Sequence, residues 1–426
     1  MIRKLSNLNP LERKTFFIHI LYSVIEGIIL GVLALNEFVF IRGLKGESFQ
    51  LGLLFQFSTI VMLLGVFLNH QVENSNSKKR IIVVTALITR LPLLLLFFFP
   101  STVEGLTPIY HYIFISIFFV YYLSNPVIYP LINLFLKSNY SHKYFSRLYS
   151  YSTSINKIVM MITTFYFGLL LDIDNFSFRY IYPTIGLLGV VSTSLLILID
   201  RTPSVSSKKF KIEFLKPLKG MVKILKNDKP YLDFEMGFML YGFAFLLSFP
   251  VITIYYDRVL DLNYSSVAFY KNAYNVLAIV LLPIFGKVLG KIDPRKFAIY
   301  TFGSIAFFLF FVALTEYFPY FIVIKNVKIY YLLVVSVLFH SFFAATMSLL
   351  WSIGSSYFCE KEQAGEYQSI HLSLTGLRGV FAPLFGIAIY EMIGFTGTFA
   401  IAIFFLIISI LKMYISIRKY SKYGVG

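Results

Sequence analysis

Apolar stretches of 20 or more residues recur from one end of this chain to the other, and they carry few charges. A helix of ~20 such residues crosses the ~30 Å hydrocarbon core of a bilayer. Open sheets and loops would leave backbone N–H and C=O groups without partners in lipid, so the stretches are read as helices. Composition agrees, because 58% hydrophobic and 14% charged residues leave too little polar material to cover a soluble globule of this size. The expected fold class is an all-α membrane protein.

Twelve spans are expected, the first six at about 15–41, 49–69, 80–99, 108–136, 145–171 and 179–199. The last six lie at about 231–256, 265–289, 296–318, 328–357, 366–393 and 395–417. A polar stretch over 200–230 divides the chain into two six-helix halves, 1–199 and 231–426. Within that stretch Phe214, Leu218, Met221, Val222 and Leu225 recur at helical spacing beside Lys216, Lys219, Lys223 and Lys226. This pattern predicts a basic amphipathic helix on the membrane surface, with a solvated charged loop as the alternative.

The net charge of +17 raises the question of nucleic acid, but its distribution answers it. Of the 38 Lys and Arg residues, 28 fall on the side holding both termini and 6 on the other. That asymmetry puts both termini in the cytoplasm, in an inner cell membrane, and makes the basic balance a matter of topology. The N-terminus "MIRKLSNLNPLERKTFF" lacks the short apolar core and cleavage site of a signal peptide, so the first helix is expected to stay. The single cysteine, Cys359, excludes an intramolecular disulfide and any cysteine metal motif. No phosphate-binding loop, metal-spaced histidine pair or nucleophile elbow occurs, which disfavours an ATP-driven pump or an enzyme; no metal and no cofactor are expected.

The two halves echo each other. "GVFLN", Gly65 to Asn69, precedes the basic cluster Lys78, Lys79 and Arg80; "GKVLGKIDPRK", Gly286 to Lys296, stands at the same place in the second half. In this the chain resembles the major facilitator superfamily, over nearly its whole length. The resemblance implies twelve transmembrane helices in two pseudo-symmetric six-helix halves and a loop motif carried here by Gly65, Gly286 and Lys291. Asn69 and Gly290 stand where that family usually has Asp. It further implies that spans 1, 4, 7 and 10 line a central cavity, with 2, 5, 8 and 11 at its flanks.

Four cations lie inside expected spans: Arg90, Lys157, Lys271 and Arg378. Tyr367, His371, Thr375 and Arg378 share one helical face, and Lys157 continues a stripe of Ser150, Thr153 and Thr164. Lys271 and Asn275 are one turn apart, with Tyr270 and Tyr274 adjacent. Intramembrane charges need partners. Glu26 is the one deep carboxylate, while Glu37, Glu235 and Glu391 lie nearer span ends. The excess of positive charge points to an anionic small-molecule substrate contacted by Arg378, Lys157, Lys271, His371 and Asn275, with Tyr22 and Tyr129 as apolar wall. The rival is an internal ion pair, and for Arg90, just before Pro92, a structural role is favoured.

Glu26 shares a face with His19 and Tyr22 and is the candidate proton-coupling group, with His340 as a second. Pro126 and Pro130 in span four predict a bend. The functional expectation is a monomeric, proton-coupled secondary transporter of a small organic anion, in contact with membrane lipids and not with nucleic acid. Two alternatives remain: a polyspecific exporter of amphipathic compounds or lipids, and a non-transporting receptor or assembly protein on the same scaffold.

Overall fold

The structure is a computed structural model, and it describes residues 8–73, 77–199, 215–289, 291–360 and 363–420. The chain divides into two compact units, Met1–Lys209 and Phe210–Gly426. Among the described residues, ten helical stretches are long and apolar enough to cross a membrane.

In the first unit, span one starts at Pro10, five residues before the expected end, because Asn9 and Glu12 form a capping box. It continues through a π-helical turn, Val39–Gly43. Span two is Ser48–Glu73. Span three is α-helical over Lys78–Arg90 and then tightens into a 3-10 helix, Leu91–Phe98. Pro92 explains the change, since it has no N–H for the carbonyl one turn back and its ring crowds that turn. Span four is broken at Leu123–Ser124 into Pro108–Tyr122 and Asn125–Asn139, with Pro126 in the first turn of the second piece. Spans five and six are His142–Ile173 and Phe178–Leu195.

In the second unit a helix runs Leu215–Asn227, and Phe214 of the amphipathic stretch lies outside the described residues. Spans seven to ten are Lys229–Arg258, Tyr264–Leu289, Pro294–Leu314 and Tyr331–Ile353. The helical stretch Ala364–Lys419 has 56 residues, far more than one crossing needs. Gly394, at φ 73°, breaks it into spans eleven and twelve, a conformation that glycine adopts without a Cβ penalty. Together with span two, the twelve spans of the expected fold are accounted for. One feature was not expected: a two-stranded hairpin, β1 Phe321–Ile324 and β2 Val327–Tyr330, stands between spans nine and ten.

The halves repeat their packing. Span one lies along span five, and span seven along span eleven. A Cβ on Gly27 would come within 2.7 Å of the Asn156 carbonyl oxygen, and one on Gly31 within 2.6 Å of the Met160 carbonyl oxygen. Glycine at this four-residue interval lets the two backbones approach. Thr164 Oγ1 then donates to the Gly31 carbonyl at 3.0 Å. In the second unit the close approach comes from Gly386 of span eleven, where a Cβ would overlap the Leu247 backbone of span seven.

An acidic residue also ties the starts of these helix pairs. Glu12 accepts from the Ser141 N–H, the residue capping span five, at 2.9 Å. Asp228 caps span seven by accepting from the Tyr231 N–H at 3.0 Å and also accepts from the Tyr367 hydroxyl of span eleven at 3.0 Å.

Candidate functional site

Each unit holds its own cluster of intramembrane polar groups. In the first, spans one, four and five enclose a pocket of about 260 Å³. His19, Tyr22, Ser23, Glu26 and Leu30 line it from span one, Tyr129, Ile132 and Asn133 from span four, and Tyr149, Thr153 and Asn156 from span five. The structure therefore brings together five of the residues singled out in the sequence: His19, Tyr22, Glu26, Tyr129 and Thr153. Span one presents its three because they lie 3 and 4 residues apart. Span four presents Tyr129 beyond the break that precedes Pro126.

Glu26 is buried and accepts a hydrogen bond from Ser192 Oγ of span six at 2.6 Å. It forms no ion pair among the described residues. His19 Nδ1 lies 3.2 Å from the Tyr140 hydroxyl. Asn156 donates to the Ser23 carbonyl at 2.9 Å, so one of its hydrogen bonds fastens span five to span one beside the pocket. Lys157, next in sequence to Asn156 and one turn from Thr153, is exposed on the unit and does not line the pocket.

Arg90 is buried in the same unit. It donates to the Tyr121 carbonyl at 3.2 Å, and its guanidinium carbon lies 3.8 Å from the Tyr121 ring centroid. Span six makes room for it at Gly189, where a Cβ would approach Arg90 Cδ to 3.0 Å. Ser192 and Gly189 thus let one helix receive both Glu26 and Arg90. Arg90 meets a carbonyl and an aromatic ring rather than a carboxylate.

In the second unit Arg378 is buried and donates through Nη1 to the Phe238 carbonyl of span seven. The guanidinium lies over Tyr241 at 5.7 Å and against Gly242, where a Cβ would overlap it. Its Nε is buried without a hydrogen-bond partner. The internal pairing of Arg378 with Glu391 is not what the structure shows; Glu391 is exposed. His371 is on the same helical face, and its Nδ1 lies 3.1 Å from both carboxylate oxygens of Glu235. Trp351 and Phe238 pack edge-on to its ring at 4.9 and 4.8 Å.

On span eight Lys271 is half-buried and engaged with other groups, and the Asn275 side chain turns back to the Lys271 carbonyl at 2.8 Å. Tyr274 stacks on His340 with centroids 4.0 Å apart. Phe308 lies 4.5 Å from His340, with Phe249 and Phe343 each at 6.0 Å. His340 is held by rings, and it makes no hydrogen bond among the described residues.

Gly65 lies in span two at a position whose surroundings are outside the described residues. A Cβ on Gly286 would meet nothing within 4 Å, and Lys291 is exposed. The cation that the second-half motif buries is instead Arg295, counted in the sequence as a loop charge. It is fully buried, pairs with Asp293 at 2.6 Å and donates to the Ser416 carbonyl at 3.1 Å and the Tyr420 carbonyl at 3.1 Å. It thereby ties the start of span nine to the C-terminal end of span twelve.

Sequence reasoning also missed Ser192, Asn133 and Tyr149 as neighbours of Glu26, and Glu235 as the partner of His371. Helical spacing relates residues within one span. It does not say which span faces it.

Comparison with characterised protein sequences finds no match. Among solved structures, a nucleoside transporter, NupG, superposes with a TM-score of 0.66 at 12% identity, covering 96% of this chain and 99% of its own. A bacterial homolog of the human lysosomal transporter Spinster superposes at 0.65 with 13% identity, over 99% and 100% of the two chains. A bacterial homologue of the iron transporter ferroportin does so at 0.69 with 10% identity, over 95% and 98%. At such identities the likeness speaks for the fold. The family model described as Major Facilitator Superfamily matches residues 15–325, well over half of a chain whose twelve spans fall into two halves, and the chain belongs to that superfamily of non-enzymatic, multi-pass membrane transporters.

Proposed function

We propose that this transporter moves a small organic anion by alternating access and couples that movement to protons through Glu26. The observation that carries the reading is the setting of Glu26: a buried carboxylate lining a pocket, held by a neutral hydroxyl at 2.6 Å instead of a cation. A permanent ion pair would lock it in the charged state. A serine hydroxyl supports the carboxylate and can turn to accept from the carboxylic acid, so both forms are accommodated. Lys157, beside the pocket-lining Thr153 and Asn156, supplies positive charge for a carboxylate or phosphate, and Tyr22, Tyr129 and Tyr149 supply surface for the organic moiety.

In the second half Arg378 is proposed as an anion contact in its own right, because its charge meets a carbonyl and a ring and its Nε is free. Lys271, His371 and Asn275 are proposed as further substrate contacts, and His340 as a subordinate proton group. The protein is proposed to act as a monomer in an inner cell membrane with both termini cytoplasmic. The aromatic wall of the pocket is the observation that favours a second reading, export of amphipathic compounds.

A thermal-stability screen of the purified protein separates the two. A ligand at a hundredfold its Kd stabilises by about 2.7 kcal/mol. Stabilisation by carboxylates or phosphates, and not by their neutral analogues, supports the anion reading. Stabilisation by neutral or cationic amphiphiles alone rejects it in favour of the second.

A further inference from the structure

The hairpin between spans nine and ten is built as a fixed platform with one strand thrown outward. Lys325 and Asn326 have φ of 45° and 71°, the two positive values that a tight two-residue hairpin turn requires. Tyr330 of β2 runs directly into Tyr331 of span ten. The outer edge of β2 is satisfied by span eight and the residues before it. The Lys328 N–H donates to Ser266 Oγ at 2.8 Å, Tyr270 OH donates to the Lys328 carbonyl at 3.1 Å, and the Tyr330 N–H donates to Tyr270 OH at 2.7 Å. The Asn263 side chain holds the turn through the Asn326 carbonyl at 2.6 Å, and Lys328 Nζ pairs with Asp261 at 3.0 Å.

β1 has no such cover. Alternate residues of a strand point to opposite faces, so a strand resting on protein would bury every second one. Here Phe321, Ile322, Val323 and Ile324 are 44, 41, 58 and 50% exposed, and both faces are apolar. Tyr317, Phe318 and Tyr320 just before it are more than half exposed as well. An apolar strand edge of this kind in water is an aggregation hazard.

We propose that the 321–330 hairpin is an interfacial anchor, with β1 laid into the headgroup–acyl boundary of the bilayer. Three observations favour lipid as the occupant. The hairpin is tethered to the membrane boundary, with six residues separating it from span nine and none from span ten. Tyr317, Phe318, Tyr320, Phe321, Tyr330 and Tyr331 cluster at its base, and amphipathic aromatic rings favour that depth. Residues 317–330 contain Lys325 and Lys328 and no acidic residue, and Lys325 at the exposed tip suits lipid phosphate. The boundary also supplies water and ester oxygens for the free edge of β1, which the hydrocarbon core could not. Pairing of β1 with a second copy would cover that edge but leave both apolar faces in water.

The test uses the full chain in phosphatidylcholine vesicles. Cys359→Ser provides a cysteine-free background, and Ile322→Cys or Val323→Cys places a nitroxide label on either face of β1. Both labels are expected to collide with oxygen dissolved in the bilayer more often than with a water-soluble nickel chelate, and to show no spin–spin broadening at full labelling. Preferential access of the chelate to either label overturns the anchor. So does broadening that disappears on dilution with unlabelled protein, which would instead assign β1 to an interface between copies. Both positions are exposed, so the substitutions leave the fold intact, and a melting temperature matching the background verifies this.

Discussion

Glu26 and Arg378 are both buried ionisable groups with no opposite charge bonded to them among the described residues, and their immediate partners decide how each can be tested. Glu26→Gln keeps an acceptor for Ser192 Oγ, so the protein should melt within about 1 kcal/mol of the parent. Gradient-driven accumulation in vesicles is expected to disappear while substrate exchange persists. Undiminished accumulation would remove Glu26 from coupling. Ser192→Ala should behave in the opposite way, leaving a buried carboxylate without its donor and costing about 1–3 kcal/mol of stability. For Arg378 the bidentate geometry of guanidinium matters, because lysine keeps the charge but loses the fork. Arg378→Ala is expected to abolish anion uptake by folded protein, and Arg378→Lys to weaken it. Gly242→Ala should lower uptake too, since its Cβ would displace the guanidinium from the Phe238 carbonyl without removing any charge. Normal uptake by well-folded Arg378→Ala would exclude Arg378 as the anion contact.

At the scale of helices, the glycines separate into those that a neighbour requires and those that none does. Gly31→Ala places a Cβ 2.6 Å from the Met160 carbonyl oxygen, a backbone atom that cannot rotate aside. Spans one and five must then part, and overpacking of this kind costs about 1–3 kcal/mol. Gly286→Ala meets nothing within 4 Å and adds helix propensity, so thermal melts should show it neutral or stabilising by up to about 1 kcal/mol. The acidic ties at the helix starts behave as caps. Asp228→Ala removes acceptors from both the Tyr231 N–H and the Tyr367 hydroxyl, and a loss of about 0.5–2 kcal/mol is expected in the same assay.

For the whole molecule, Cys359 reads orientation directly. It lies between spans ten and eleven, on the side assigned to the cytoplasm by the distribution of Lys and Arg. A membrane-impermeant thiol reagent should label it in inverted vesicles and not in intact cells; efficient labelling of intact cells would reverse the topology. Burial, and then the negative charge of Asp228, push the Cys359 thiol above its ordinary range. The thiolate is the reactive form. Labelling in inverted vesicles should therefore be slower than for a free thiol at the same pH, and should accelerate as pH rises through the raised value.

Hydropathy by itself determined the class, the twelve spans and the division into halves, because the bilayer makes length and polarity decisive whatever packs against what. It even placed the boundary between spans eleven and twelve at about Gly394, where the structure breaks the helix. Helical spacing likewise put His19, Tyr22 and Glu26 on one face, and the structure turns that face into a pocket wall. What periodicity could not supply is the identity of the opposing helix. The pairing of His371 with Glu235 joins residues 136 positions apart, and that of Glu26 with Ser192 joins residues 166 apart. Arg295 looked like a loop charge because the carbonyls it donates to belong to the far end of the chain. The hairpin was hidden because its residues are as apolar as a helix, and the side chains of Asn263, Ser266 and Tyr270 that fasten its turn and the outer edge of β2 lie 60 or more positions away. One-dimensional pattern records what each segment must face; which group answers it is decided by tertiary packing.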